Sequence, residues 1–167
     1  MTEEVTPASV RLLMNRKVLA SYRHRTAVAR RLGISESELV ALTYLAEGGL
    51  TPGELGRRLQ LTSGGMTSLL QRLRRGGHIE RRAHPSDRRS VVVSATQDVL
   101  DRIAELYAPL VAELDDLTAE LSGHDREIVH RYLTRTVLAS ELQAERLVAD
   151  AEAADVLPDD DATHLWA

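Results

Sequence analysis

Between Glu54 and Glu80 the chain carries no carboxylate, yet the interval holds Arg57, Arg58, Arg72, Arg74 and Arg75. Interleaved with them are small or amide-bearing residues: Ser63, Gly64, Gly65, Thr67, Ser68 and Gln71. Guanidinium groups fork onto phosphate oxygens or the outer edge of guanine, and hydroxyl and amide side chains bond base edges or phosphates. A little further on, His84-Pro85-Ser86-Asp87-Arg88-Arg89 joins two strand-like runs. Adjacent arginines at a hairpin tip suit the narrow, electronegative minor groove. Asp87, two residues from Arg89, would bond loop amides or the guanidinium and so limit the rotamers of a long side chain. The chemistry predicted is recognition of a polyanionic duplex. Two blander readings compete: a merely solvated basic face, and a surface turn with an incidental ion pair.

The net charge of −4 argues against such a partner only if it is evenly spread. It is not: residues 1–50 carry +2, residues 51–90 carry +6, and residues 91–167 carry −12. Local charge decides what approaches. A chain of 167 residues suits one ordinary domain, or a compact lobe with helical extensions. With no phenylalanine and 3% aromatics, the core must be built of Leu, Val, Ile and Ala. The absence of cysteine excludes disulfides and thiolate metal sites. The six histidines, among them His24, His78 and His124, form no i, i+4 pair, so no metal site is predicted. No Walker loop, dinucleotide fingerprint or nucleophile elbow appears, so neither catalytic residues nor a cofactor are expected. The acidic, polar N-terminus and the lack of any apolar run near ~18 residues predict a cytoplasmic protein with no membrane partner.

The elements that must position these residues follow from periodicity and punctuation. Val10, Leu13, Met14 and Val18 mark a helix over about 8–32, closed by Gly33. Ser35 and Glu38 fit a capping box opening a second helix, which Gly48-Gly49 stops. Thr51-Pro52-Gly53-Glu54 repeats the device for a short third helix. A fourth begins at Thr62 or Ser63, with Met66, Leu69, Leu70 and Leu73 on its buried face and the polar and basic residues opposite. Gly64-Gly65 in its first turn costs up to ~1 kcal/mol per residue in helix propensity, so close approach of backbone to a ligand is the expected return. Strands at 78–83 and 90–95 follow, the second rich in valine. From Thr96 onward Leu100, Ile103, Tyr107, Leu110, Leu114, Leu117 and Leu121 form a 3-4 seam that needs a partner helix, with Pro109 expected to bend it. Ser122-Gly123-His124-Asp125 reads as a turn and cap before a last helix to about Ala154, and residues 155–167 read as an acidic, disordered tail.

This order is mainly α with a small β-hairpin, and it spells a winged helix-turn-helix with long N- and C-terminal dimerisation helices. The expected divisions are 8–32, 33–95 for the DNA-binding domain, 96–154, and the tail. The run LTPGELGRRLQLTSGGMTSLLQRLRRGGHIERRAHPSDRRS resembles the MarR-type regulators from their third helix to their wing, and the resemblance extends from about Ser35 to Leu121. It implies a homodimer joined through first and last helices, binding a palindromic double-stranded operator, usually as a repressor, and released by a small-molecule effector, often aromatic or phenolic. Two positions depart from the family pattern. Ala95-Thr96-Gln97-Asp98-Val99 stands where Leu-Thr-x-x-Gly is usual, and Ser68 follows Thr67 where arginine is common.

On this reading Ser63 to Thr67, Ser68 and Gln71 face the major groove. Arg57, Arg72, Arg74 and Arg75 hold phosphates, and Asp87, Arg88 and Arg89 form the minor-groove tip. Tyr22, Arg23, His24 and Tyr44 are candidates to line an effector pocket, with packing or solvent exposure as the alternative. The rivals are a winged-helix module that binds an acidic protein rather than DNA, and an enzyme or carrier that uses the cavity between the helices.

Overall fold

The computed structural model describes residues 4–83 and 91–155. The expected tip residues Asp87, Arg88 and Arg89, and the tail from residue 156, lie outside the described residues. The element order is α1 (Pro7–Leu32), α2 (Glu36–Ala46), α3 (Pro52–Leu59), α4 (Ser63–Arg75), β1 (Ile79–Ala83), β2 (Val91–Ala95), α5 (Gln97–Ala119) and α6 (Gly123–Asp155). The chain divides into two compact units, one ending at Val111 and the other starting at Ala112. No helix among the described residues is long and apolar enough to cross a membrane.

Local chemistry sets most of the boundaries. Thr6, Ser35 and Thr51 each cap a helix through reciprocal bonds with the residue three positions on, Ser9, Glu38 and Glu54 respectively. Each box satisfies two amides that would otherwise lack partners. Pro7 and Pro52 occupy the first helical position, where a missing N–H is harmless. Thr62 caps α4 through the Gly65 amide at 3.2 Å. At the other end of α4, His78 N donates to Leu73 O at 2.9 Å while Gly77 takes φ 72°, a left-handed stop that glycine adopts without strain.

In the first unit α2, α3, α4, the strands and the start of α5 close on one core of Leu42, Leu45, Leu55, Met66, Leu69, Leu70, Leu73, Ile79, Val93 and Val99. A second cluster, Val28, Ala29, Leu32 and Leu39, seats the end of α1 on α2, with Ile103, Leu106 and Tyr107 against it. Strands β1 and β2 pair antiparallel, Ile79 opposite Ala95 and Ala83 opposite Val91. Leu50 adds a one-residue third strand, exchanging both backbone bonds with Val93 at 3.0 and 2.8 Å. After β2, Thr96 donates its hydroxyl to Gly77 O at 3.1 Å and its amide to His78 O at 3.0 Å. It thereby pins the base of the hairpin to the end of α4.

The seam predicted along α5 splits in character. Leu100, Ile103 and Tyr107 pack on the core of their own chain, whereas Leu114 and Leu117 are exposed. Helix α5 continues through Pro109. In the second unit, Ser122 caps α6 by accepting from the Asp125 amide at 3.1 Å. Ile128, Val129, Tyr132, Leu133, Val137, Leu138, Leu142 and Leu147 of α6 are all exposed in the single chain.

Candidate nucleic-acid interface

Helix α4 is anchored by one face and open on the other. Met66, Leu69, Leu70 and Leu73 are buried, while Ser63, Gly64, Thr67, Ser68, Gln71, Arg74 and Arg75 are exposed and Gly65 is half-buried. Residues four apart on a helix stack along one side, so Ser63, Thr67, Gln71 and Arg75 form a row. The Thr67 hydroxyl donates to Ser63 O at 2.9 Å, which leaves its oxygen as an outward acceptor. Arg75 Nε reaches Gln71 O at 3.4 Å.

The two glycines of the first turn have no internal justification. A Cβ built at Gly64 would meet nothing within 4 Å, and one at Gly65 would meet only ordinary contacts, 3.4 Å to Thr62 Oγ1 being the nearest. Neither residue has a positive φ. Steric demand from the fold therefore does not explain them, and the helix start presents bare backbone with its positive dipole end.

The arginines divide by employment. Among the described residues Arg57 and Arg74 take part in no recorded ion pair, and Arg57 is exposed on α3. Arg58 lies 3.6 Å from Glu47 and over the Tyr44 ring at 5.4 Å. On β1, Arg82 pairs with Glu80 and Arg81 is exposed. Arg72, expected at a phosphate, directs its Nε to Glu38 Oε1 at 2.8 Å, and its side chain is half exposed. Glu38 is more than the helix cap that its place after Ser35 suggests. It is 5% exposed, and its second oxygen accepts from the Ser35 amide and hydroxyl at 2.7 and 2.8 Å. Burial pushes its carboxyl pKa up, but the Ser35 bonds and the Arg72 guanidinium together hold it below the ordinary value. Its only sequence signal is its place in the capping box.

The four effector candidates do not share a described cavity. Tyr22 and Arg23 line an open depression of about 640 Å³ on α1 together with Thr26, Ala27, Arg30 and Arg31. His24 meets the edge of Tyr107, centroids 4.9 Å apart. Tyr44 packs against the core beneath Arg58. Among the described residues no group of three or more His, Cys, Asp or Glu could hold a metal.

Three helices followed by a two-stranded hairpin, with one helix exposing a small, polar and basic face, define a winged helix-turn-helix, a DNA-binding fold. Residues 32–90 match the model of the MarR family. The HTH-type transcriptional regulator YcgE of Bacillus subtilis is 32% identical over 122 residues, 72% of this chain and 79% of that protein. Wild-type apo MarR from E. coli superposes with a TM-score of 0.53 at 25% identity, covering 82% of this chain and 99% of that one. S. aureus MepR in its DNA complex gives a TM-score of 0.56 at 20% identity, covering 77% and 98%. The chain belongs to the MarR family of winged-helix transcriptional regulators, which are not enzymes.

Proposed function

We propose that this regulator is a homodimeric, ligand-responsive repressor acting in the cytoplasm, which binds a palindromic operator with α4 in the major groove and the hairpin in the minor groove. The observation that carries the reading is the exposed row on α4: hydroxyls, an amide and guanidiniums over a helix start that carries glycines the fold does not require. Ser63, Gly64, Gly65, Thr67, Ser68 and Gln71 face the base edges, Arg57, Arg74 and Arg75 face phosphates, and Asp87, Arg88 and Arg89 form the tip. The DNA-bound state of MepR, a protein of the same fold, supports DNA as the partner.

The dimer accounts for the apolar side chains that the single chain leaves in water. Leu12, Leu13, Val18 and Leu19 on α1 are exposed, Leu13 by 62%, and α6 has the eight exposed residues named above. Apolar surface of that extent needs a cover, and a second copy supplies the matching faces. The effector, an aromatic or phenolic small molecule in keeping with the family, would reach the first unit by way of α1, where Tyr22 and Arg23 line the depression.

The deciding experiment is selection from a random duplex library with the purified protein. Two inverted half-sites about one helical turn apart are expected. Affinity should fall steeply with salt, by about 0.9 in log–log slope for each phosphate held. Weak binding indifferent to sequence would instead favour a protein-binding module.

A further inference from the structure

The first turn of α2 joins three helices of the first unit. Thr26 of α1 donates its hydroxyl to Glu36 Oε1 at 2.5 Å, and two residues on Glu38 receives Arg72 of α4 at 2.8 Å. Among the described residues Glu38 is the one charged side chain that is buried. Its carboxylate is held from both sides, one oxygen by Ser35 and the other by Arg72, so it is an acceptor of fixed position.

We infer that the Glu38–Arg72 pair is a positioning device that sets the rotation of α4 about its own axis, so that operator specificity depends on a carboxylate that never meets DNA. The inference rests on the reading of α4 as the recognition helix. The apolar underside of α4 holds it against the core, but burial is non-directional and tolerates small rotations. A charge-assisted hydrogen bond to a carboxylate of fixed position favours one rotation, because it weakens away from its preferred distance and angle. Side-chain tips lie roughly 5–6 Å from a helix axis, so a turn of about 20° moves them about 2 Å. That displacement breaks a hydrogen bond to a base edge while leaving a phosphate within reach of a flexible arginine. A glutamine oxygen would also accept from Ser35, so the capping box alone does not require that Glu38 be charged. Arg72 adjoins Gln71, and fixing its Nε fixes the turn that carries the third member of the Ser63, Thr67, Gln71 row.

The test compares the duplex selected by the wild-type protein with a scrambled duplex of equal length, for Arg72→Gln, Glu38→Gln, the double variant and Arg72→Lys. Each glutamine variant should lose tenfold or more on the selected duplex, with unchanged affinity for the scrambled one and an unchanged salt slope. The double variant should be no worse than either single, and lysine should restore part of the loss, since it keeps a cation for Glu38. If Arg72→Gln weakens both duplexes and its slope drops by about 0.9, Arg72 is a phosphate contact and the inference is overturned. Additive losses, or full discrimination by Glu38→Gln, overturn it as well. Should Glu38→Gln fail to fold, the half-exposed Arg72 position decides through its glutamine and lysine variants. A wild type that selects no sequence overturns the repressor reading itself, whereas a wild type that discriminates beside variants that do so equally overturns only this inference.

Discussion

Gly64 and Glu38 are opposite cases of a residue whose environment declares its use. Nothing in the chain occupies the space where a Cβ at Gly64 would sit, so Gly64→Ala is expected to raise stability by about 0.5–1 kcal/mol through helix propensity. On the proposed reading the same methyl group would stand between the α4 amides and a duplex. Thermal melting and duplex titration on one preparation should show higher stability with weaker binding; binding that is retained would show that no phosphate or base approaches that turn. Glu38 predicts a pH dependence. Its folded pKa is held below the ordinary glutamate value of 4.5, so its stabilisation is complete above that value and disappears as pH falls through the lower folded one. Glu38→Gln should therefore be less stable than wild type at pH 7, by about 1–2 kcal/mol given that Arg72 is half exposed, and should lose less on acidification below pH 5. Denaturant midpoints at pH 7 and pH 3.5 read both effects.

Among the elements, the hairpin depends on a contact far from its turn. The backbone of Gly49, between α2 and α3, lies so close to β2 that a Cβ there would overlap Val92 Cγ1 and sit 2.8 Å from Ser94 Oγ. Valine in a strand has little rotamer freedom with which to yield. Gly49→Ala is expected to destabilise the protein by about 1–3 kcal/mol, as overpacking does, and to disturb the Leu50–Val93 bonds. Hydrogen exchange at the Leu50 and Val93 amides should quicken beyond the global change; equal exchange in both proteins would remove the idea. The glycine pair Gly48-Gly49 reads from sequence as a helix stop, and it is one. The second role is invisible there, because Val92 is more than forty residues away and only the folded hairpin brings it near.

For the whole molecule the apolar faces of α1 and α6 need a cover. On the proposed reading a second copy does, so Leu138→Glu in α6 should halve the mass seen by light scattering and abolish binding to the inverted-repeat duplex. Leu138 is 59% exposed in the single chain, so a glutamate there leaves the fold of an isolated protomer undisturbed. A variant that keeps both the wild-type mass and its DNA affinity would place the interface elsewhere.

Helix starts, the stops at Gly33 and Gly77, the buried stripe of α4 and the strand pair were all legible from the chain alone. Caps, left-handed glycines and apolar periods act within four residues of one another, and the chain displays such neighbours directly. The division of the α5 seam between core and exposed residues was decided by tertiary structure, because a period reveals a stripe but not what lies against it. The same holds for Arg72. Its type suggested a cationic contact but not the bond of its Nε to a carboxylate 34 positions away, and a pairing at that separation exists only once apolar burial has brought α2 and α4 together.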